Sequence, residues 1–288
     1  MKATGSSVIK MFKYSYTYFT WGLDNQYDVY GEPERVFEVL EKYGFDGVEV
    51  PGEPDKIDAK KLKETLDSYG LDVPAVTGLF GTGWGFWSGH GDPTHPDDKA
   101  RQKSVKYIKK CIDMMAVLDA KFFNMAPCPI QHLDAPVEKL NEAFAKTVKE
   151  SAKYAQEYGV NVPIEPVNRF EGYYGVVNTL SQAKELMEKV DPENTGIFAD
   201  IFHMNIEESS ILRALMENGK YIVHIHCVDN NRKGPGMGCL NFKSIFNTLK
   251  FVGYDKYLSV EAIPPKPDPS IIAEKAIEYM KTIELAIG

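Results

Sequence analysis

Short apolar runs alternate with longer amphipathic segments along nearly the whole chain. The apolar runs predict β-strands at residues 14–19, 47–50, 72–80, 121–126, 160–167, 196–202, 221–228 and 257–262. The amphipathic segments predict helices at residues 33–43, 58–70, 97–118, 137–158, 179–190, 208–218, 242–252 and 269–287. Unbroken strand–helix alternation of this kind predicts the α/β class and a single (β/α)₈ TIM barrel.

Capping residues support these boundaries. Gly44 and Gly159 follow predicted helices as C-caps, and Asp58 precedes one as an N-cap. The alternative fold is a doubly wound open sheet, which usually carries a Gly-rich phosphate turn after its first strand, whereas this chain has Phe19-Thr-Trp-Gly22 there. The sequence contains no linker or change of composition that would indicate a second domain. We therefore predict one catalytic barrel domain at 13–288, preceded by a flexible N-terminal extension at 1–12.

Composition narrows the function classes. The chain has 288 residues, 43% hydrophobic and 26% charged, which is normal for one globular barrel. Its formal net charge of −8 disfavours a nucleic-acid partner, because such partners select basic surfaces. No apolar run is long enough for a transmembrane helix, so we expect no membrane partner. The four cysteines form no CxxC pair, and the first residues lack a signal-peptide core, so we expect a cytoplasmic location.

Polar residues stand near the ends of the last four predicted strands: Glu165, Asp200, His226 and Glu261. In a (β/α)₈ barrel the carboxyl ends of all strands open on one face, where the active site lies. Three carboxylates and one imidazole suit Mn²⁺, Mg²⁺ or Co²⁺ better than thiol-seeking zinc. Four protein ligands leave two octahedral positions for a substrate with a carbonyl beside a hydroxyl.

Longer motifs surround these residues. Glu-x-x-Asn-Arg-Phe-Glu begins at Glu165, and Asp-x-Phe-His-Met-Asn-Ile-Glu-Glu begins at Asp200. His-x-His ends at His226 and is followed by Asn-Arg and Pro-Gly-x-Gly, and Glu261 stands in the last strand. With these motifs and spacings the chain resembles the ketose 3-epimerases, the D-tagatose 3-epimerase and D-psicose (D-allulose) 3-epimerase group of the xylose isomerase-like TIM barrels. The resemblance covers nearly the whole length.

The resemblance implies a metal-dependent isomerase that epimerises C3 of a free, unphosphorylated ketohexose or related keto-sugar through a cis-enediolate. It implies Glu165, Asp200, His226 and Glu261 as metal ligands, with Glu165 and Glu261 also as the catalytic acid and base. Substrate oxygens would be bound by Glu171, His203 and Arg232. The resemblance further implies one divalent cation per subunit, Mn²⁺ first with Co²⁺ or Mg²⁺ as alternatives, and a homodimer or homotetramer.

Other functions remain open at this point. The same set of metal ligands could serve another sugar isomerase, an inosose isomerase or dehydratase, or a keto-glycoside lyase. A DNA-repair endonuclease on a related barrel is disfavoured, because such sites gather several zincs on many histidines and this chain has six. A catalytically inactive scaffold is disfavoured by the intact ligand set.

Several residues near the predicted site allow two interpretations. Glu49 is either a partner of the site or a satisfied buried acid. His224, one layer deeper than His226, is expected to be a hydrogen-bonded histidine and not a ligand. The aromatic residues Trp21, Trp84, Phe86 and Trp87 could wall the pocket, and the loop Gly81–Pro96 could be a lid, a pocket wall or a subunit contact.

Overall fold

The parallel sheet is the frame of the molecule. The computed structural model describes residues 10–81, 89–127, 134–172, 175–191 and 193–288. The strands are β1 Lys13–Thr17, β2 Gly47–Pro51, β3 Ala75–Thr77, β4 Phe122–Asn124, β5 Ile197–Asp200, β6 Ile222–His226 and β7 Tyr257–Val260. They pair in parallel in the order β4-β3-β2-β1-β7-β6-β5.

The segment 161–165 fills the place between β4 and β5. Asn161 bridges Phe122, and Ile164 bridges both Met125 and Ile197. Backbone hydrogen bonds run from this segment to the β4 side and to the β5 side, for example from the Glu165 amide to the Met125 carbonyl at 2.9 Å. The segment therefore occupies the position of the predicted fifth strand and completes a ring of eight extended segments. The predicted TIM barrel is confirmed.

Helices surround the sheet. They are α1 Glu34–Tyr43, α2 Ala59–Ser68, α3 Asp98–Leu118, α4 Val137–Gln156, α5 Leu180–Val190, α6 Ile201–Glu207, α7 Ile211–Asn218, α8 Phe242–Phe251 and α9 Pro269–Ile287. Gly44 ends α1 in the left-handed conformation at φ 74°, and the Asp58 carboxylate caps the first amides of α2. None of the helices in the described ranges combines the length and apolar character needed to cross a bilayer.

The structure differs from the sequence prediction around Asp200. The predicted strand continues to Phe202, but β5 ends at Asp200, whose carboxylate accepts the Phe202 amide at 2.6 Å and begins α6. The next helix was predicted from Glu208 and begins instead at Ile211, after Ser210 caps it. An extra short helix therefore follows β5 directly at the carboxyl face of the barrel.

The start of the described chain meets the last helix at the opposite face. The extension predicted at 1–12 lies mainly outside the described residues, which begin at Lys10. Phe12 is buried and packs on Phe246 with ring centroids 5.3 Å apart. The Glu284 carboxylate, near the end of α9, accepts the Phe12 amide at 2.9 Å and the Tyr14 hydroxyl at 2.7 Å. These bonds fix the start of β1 to the last helix.

Candidate metal centre

The four predicted ligands converge on one point at the carboxyl face of the barrel. The Nδ1 atom of His226 lies 3.5 Å from Oε1 of Glu165, 3.8 Å from Oδ2 of Asp200 and 3.4 Å from Oε2 of Glu261. Ligand atoms bound at about 2.1 Å to one ion stand about 3 to 3.5 Å apart, so this spacing suits a shared cation. All four residues are buried.

Two buried atoms in this cluster support the fit. Nδ1 of His226 and Oδ2 of Asp200 have no hydrogen-bond partner among the described residues. Buried polar atoms normally have partners, because leaving one unsatisfied costs about 1–3 kcal/mol. A divalent cation held by Glu165, Asp200, His226 and Glu261 would satisfy both atoms, so the donor set fits the ion that the sequence predicts.

Charge in the cluster supports the same conclusion. The buried carboxylates of Asp200 and Glu261 lie near the guanidinium of Arg232, and the buried carboxylate of Glu165 lies on the other side of His226. Burial alone would lower the pKa of His226, but the carboxylates, first that of Glu261, raise the pKa well above its ordinary value. A field that favours a proton on this imidazole also favours a cation beside it.

The carboxyl groups of the cluster differ in their electrostatics. Burial raises the pKa of Glu261 to about 7, although His226 and Arg232 act against this rise. Burial also acts to raise the pKa of Asp200, but the neighbouring His203 and Arg232 outweigh it and hold that pKa well below its usual range. Of these two predicted ligands, Asp200 is therefore the one more strongly held in its ionised form.

Glu49 binds the ring nitrogen of His226 that points away from the cluster. Nε2 of His226 donates to Oε2 of Glu49 at 3.1 Å, and Nε2 of His224 donates to Oε1 of the same carboxylate at 2.7 Å. Glu49 thus contacts the site, and His224 is a hydrogen-bonded histidine as predicted. Burial would raise the pKa of Glu49, but the two imidazoles outweigh it and hold the pKa well below its usual range.

His203 stands beside the cluster on α6. Its Nε2 lies 3.6 Å from Oδ2 of Asp200 and 3.8 Å from Oε1 of Glu165. The Asn168 side-chain amide donates to Nδ1 of His203 at 2.7 Å, so Nε2 carries the hydrogen that faces the site. The placement follows from the helix that Asp200 caps, because His203 falls on its first turn.

Arg232 and Glu171 form the outer edge of the cluster. Nη2 of Arg232 donates to Oε2 of Glu261 at 3.2 Å, and Nη1 donates to the Glu171 carboxylate. The guanidinium also lies 4.8 Å from the centre of the Phe202 ring. The structure therefore brings together all seven residues that the sequence singled out.

Other residues at the site had no clear sequence signal. Asn124 ends β4, and its side-chain amide donates to Oε2 of Glu165 at 2.7 Å. Its position at a strand end was the one available clue.

Trp21 is fully buried and packs edge-on against Tyr16 and Tyr27, so it belongs to the core. Residues Trp84, Phe86 and Trp87 lie outside the described residues.

A buried cluster of carboxylates and one imidazole at this face defines a (β/α)₈-barrel enzyme able to hold a divalent cation. The family described as xylose isomerase-like TIM barrel matches residues 37–283. The chain belongs to this family.

Known relatives narrow the group. The chain is 30% identical over 215 residues to a ketose 3-epimerase of Arthrobacter globiformis, covering 74% of this chain and 71% of the relative. It is 26% identical over 263 residues to the 3-dehydro-D-guloside 4-epimerase of Escherichia coli (strain K12), covering 87% of this chain and 95% of the relative. The resemblance to the ketose 3-epimerases is confirmed, and with it the class of enzyme, a carbohydrate epimerase.

A solved structure supports the fold independently. The structure of an L-ribulose 3-epimerase superposes with a TM-score of 0.84 at 23% identity, covering 96% of each chain. At this identity the likeness concerns the path of the backbone.

Proposed function

We propose that this protein epimerises C3 of a free ketohexose or a related keto-sugar. The observation that carries the proposal is the placement of two glutamates around one point. The four residues come from four neighbouring segments of the barrel, in the order 161–165, β5, β6 and β7. Glu165 and Glu261 lie on the two outer segments, and Asp200 and His226 lie between them. Their oxygens approach Nδ1 of His226 to 3.5 and 3.4 Å from the two flanks. Two carboxylates on opposite flanks can serve the two faces of one planar carbon.

The proposed site holds one divalent cation per subunit on Glu165, Asp200, His226 and Glu261. We expect Mn²⁺, with Co²⁺ or Mg²⁺ as alternatives, because oxygen-rich ligand sets with one imidazole suit these ions. When bound, the cation would supply electrophilic stabilisation of the charge that develops on the substrate oxygens.

The proton transfers are the work of the two glutamates. One carboxylate removes the C3 proton from one face of the sugar, which gives a planar cis-enediolate. The other carboxylic acid returns a proton to the opposite face, so the configuration at C3 is inverted. The reverse reaction exchanges the two roles. Asn124 and Arg232 hold the two carboxylates in place through their hydrogen bonds to Glu165 and Glu261.

His203, Arg232 and Glu171 are proposed to bind substrate oxygens near the reacting carbons. Nε2–H of His203 points toward the cluster, because Asn168 occupies the other ring nitrogen. The Arg232 guanidinium lies between Glu261 and Glu171, where it can donate to a hydroxyl or carbonyl oxygen. The Glu171 carboxylate can accept from a sugar hydroxyl.

The charges around the site support an unphosphorylated substrate. Arg232 is paired with Glu171 and Glu261, and Arg169 forms a bidentate pair with Glu207. A phosphate would bring two further negative charges into a cluster that already holds an excess of carboxylates.

The resemblance also leads us to propose a cytoplasmic homodimer or homotetramer.

The second candidate is related chemistry on a keto-glycoside. The Escherichia coli relative named 3-dehydro-D-guloside 4-epimerase is matched along 95% of its length. A sugar isomerase, an inosose isomerase or dehydratase and a keto-glycoside lyase also begin with proton removal beside a carbonyl. The position of the exchanged carbon and the fate of the hydroxyl distinguish these reactions.

The decisive experiment screens ketoses, 3-keto-glycosides and keto-inositols with Mn²⁺ in deuterated water, read by ¹³C NMR. We expect deuterium at C3 of a ketose, inversion at that carbon and no loss of water. Deuterium at C4 of a 3-keto-glycoside would favour the second candidate, and loss of water would favour a dehydratase. Activity that is unaffected by a chelator would contradict the proposed cation.

A further inference from the structure

Glu49 reaches across the interior of the barrel to β6. Its strand, β2, is three places from β6 in the sheet, and its carboxylate is fully buried. The two oxygens accept separately from Nε2 of His224 at 2.7 Å and Nε2 of His226 at 3.1 Å. Because an ionised carboxylate has no hydrogen to donate, both imidazoles must carry a hydrogen on Nε2.

This hydrogen determines what His226 can do on its other side. In the neutral ring, a hydrogen on Nε2 leaves the lone pair on Nδ1. That atom faces Glu165 and Glu261 at 3.5 and 3.4 Å and has no hydrogen-bond partner among the residues that the structure describes. Glu49 therefore selects both the tautomer and the ring orientation in which His226 can bind a cation.

We propose that Glu49 is the positioning residue of the metal centre, with His224 as the second anchor that fixes its carboxylate. The inference rests on the proposed function for the presence of the cation. Thr77 also approaches Glu49, at 3.4 Å. Among the described residues, the hydrogen-bond partners of this buried carboxylate are therefore two imidazoles and a hydroxyl, and no lysine or arginine is among them.

This pairing distinguishes Glu49 from an ordinary core acid. A buried carboxylate needs partners for both of its oxygens, and here both partners are imidazoles on the same strand. One of those imidazoles belongs to the predicted metal ligand His226, and carboxylates behind metal-binding histidines raise metal affinity. The alternative is that Glu49, His224 and His226 form a second cation site. Such a cation would have to displace both Nε2 hydrogens.

The test is a titration of the full-length protein with Mn²⁺, followed by electron paramagnetic resonance of the free ion. The variant Glu49→Gln offers one acceptor and one amide donor, so it can accept from only one imidazole. We expect one Mn²⁺ per chain in the wild type and about 10–100-fold weaker binding in the variant. Glu284→Gln, a change at another buried carboxylate at the far end of the barrel, is the matched control and should bind like the wild type.

The outcomes separate the two claims. Wild-type protein that binds no Mn²⁺ contradicts the proposed function, whereas equal affinities of wild type and Glu49→Gln overturn only the inference. A second Mn²⁺ per chain that is lost in Glu49→Gln also overturns it, in favour of the second site. If Glu49→Gln does not fold, Glu49→Asp replaces it, since the shorter carboxylate cannot reach both rings and should weaken binding in the same direction.

Two further measurements detect a purely structural role. If Glu49 only fills the core, Glu49→Gln should lower the melting temperature equally with chelator and with Mn²⁺. If it positions His226, the stabilisation by Mn²⁺ should shrink in the variant. In a ¹H–¹⁵N spectrum of the Mg²⁺-loaded wild type, we expect His226 to be protonated on Nε2, and protonation on Nδ1 would overturn the inference.

Discussion

The two glutamates proposed as acid and base differ in the side chains that donate hydrogen bonds to them. Glu165 accepts from the neutral amide of Asn124, whereas Glu261 accepts from the cationic Arg232. The two glutamates also come from different segments of the barrel, so neither can take the place of the other. A reaction that needs one carboxylate on each face of a carbon should therefore stop when either is neutralised.

We expect Glu165→Gln and Glu261→Gln each to lower kcat for ketose epimerisation by at least about 10²–10⁴-fold, the usual contribution of general acid–base catalysis. The measurement is the initial rate of epimer formation by NMR at saturating Mn²⁺. Glu217→Gln, a change at an exposed glutamate paired with Arg213, is the control and should keep wild-type activity. A variant of either site glutamate with the full rate would contradict the two-carboxylate mechanism.

Among the elements, the loop after β6 is organised by one buried carboxylate. Asp229 accepts the amides of Asn230 and Leu240 on one oxygen and those of Gly236 and Gly238 on the other, at 2.8 to 3.1 Å. A Cβ atom on Gly238 would lie 2.2 Å from Oδ1 of Asp229, so the motif glycine is needed for this approach. The loop carries Arg232 at φ 58° to the edge of the site.

Replacing this carboxylate should loosen the loop without touching the cation ligands. Asp229→Asn keeps one acceptor oxygen, so buried amides lose partners at about 1–3 kcal/mol. We expect a lower free energy of unfolding in urea and a raised KM because Arg232 is less well held, with a smaller effect on Mn²⁺ affinity through the contact of Arg232 with Glu261. Asn231→Ala, which removes two exposed hydrogen bonds in the same loop, should change each value much less. An unchanged KM in Asp229→Asn would separate the loop from substrate binding.

Element boundaries show where sequence reasoning reached its limit. The apolar pair Ile201–Phe202 extends the β5 pattern, and a run this short fits a strand or a helix equally well. The deciding contact is the Asp200 carboxylate on the Phe202 amide, which turns the chain into α6. The helix predicted from Glu208 does not begin there. Glu207 ends α6 and pairs with Arg169, and Glu208 accepts the Leu180 amide.

The Glu207–Arg169 pair links α6 to the loop after segment 161–165 and gives a pH-dependent contribution. Its hydrogen bonds with Arg169 outweigh burial and lower the pKa of Glu207. A folded-state pKa below the unfolded value of about 4.3 stabilises the protein above that pH, and the contribution is lost as pH falls through the lowered pKa. Because Arg169 is partly exposed, the size is at most about 1 kcal/mol.

We therefore expect Glu207→Gln to be less stable than the wild type in urea at neutral pH and equally stable in strong acid. The exposed Glu185→Gln should match the wild type at both pH values. A stability difference that persists unchanged in acid would show that the loss comes from packing and not from the ionised pair.

At the scale of the whole molecule, the barrel and the convergence of the four candidate metal ligands could be predicted because strand order and strand ends are local patterns, whereas Glu171, His203 and Arg232 were inferred from the family resemblance. Glu165, Asp200, His226 and Glu261 each follow an apolar run, and the barrel fold brings such ends to one face. The contacts of Glu49 and Asn124 could not be predicted in the same way. They depend on which side chains meet across the barrel interior, and neither residue lies in one of the motifs.

The proposed cation should act on the stability of the whole barrel, because its ligands come from segment 161–165, β5, β6 and β7. Without it, the carboxylates of Glu165, Asp200 and Glu261 face one another with Arg232 as the nearby cation. Mn²⁺ at about 100 times its Kd should add about 2.7 kcal/mol to the free energy of unfolding. For a chain of this size, that corresponds to a melting temperature about 5 °C higher.

Calorimetric melting curves with chelator and with Mn²⁺ measure this difference. Asp200→Asn removes the negative charge of a proposed ligand and should abolish most of the Mn²⁺-dependent rise. Glu284→Gln weakens the contact between β1 and α9 at the opposite face. It should therefore lower both melting temperatures while leaving the rise between them intact, because that contact touches no ligand. Equal melting of the wild type with and without Mn²⁺ would mean that the carboxylates are satisfied without a cation, and the metal centre would have to be abandoned.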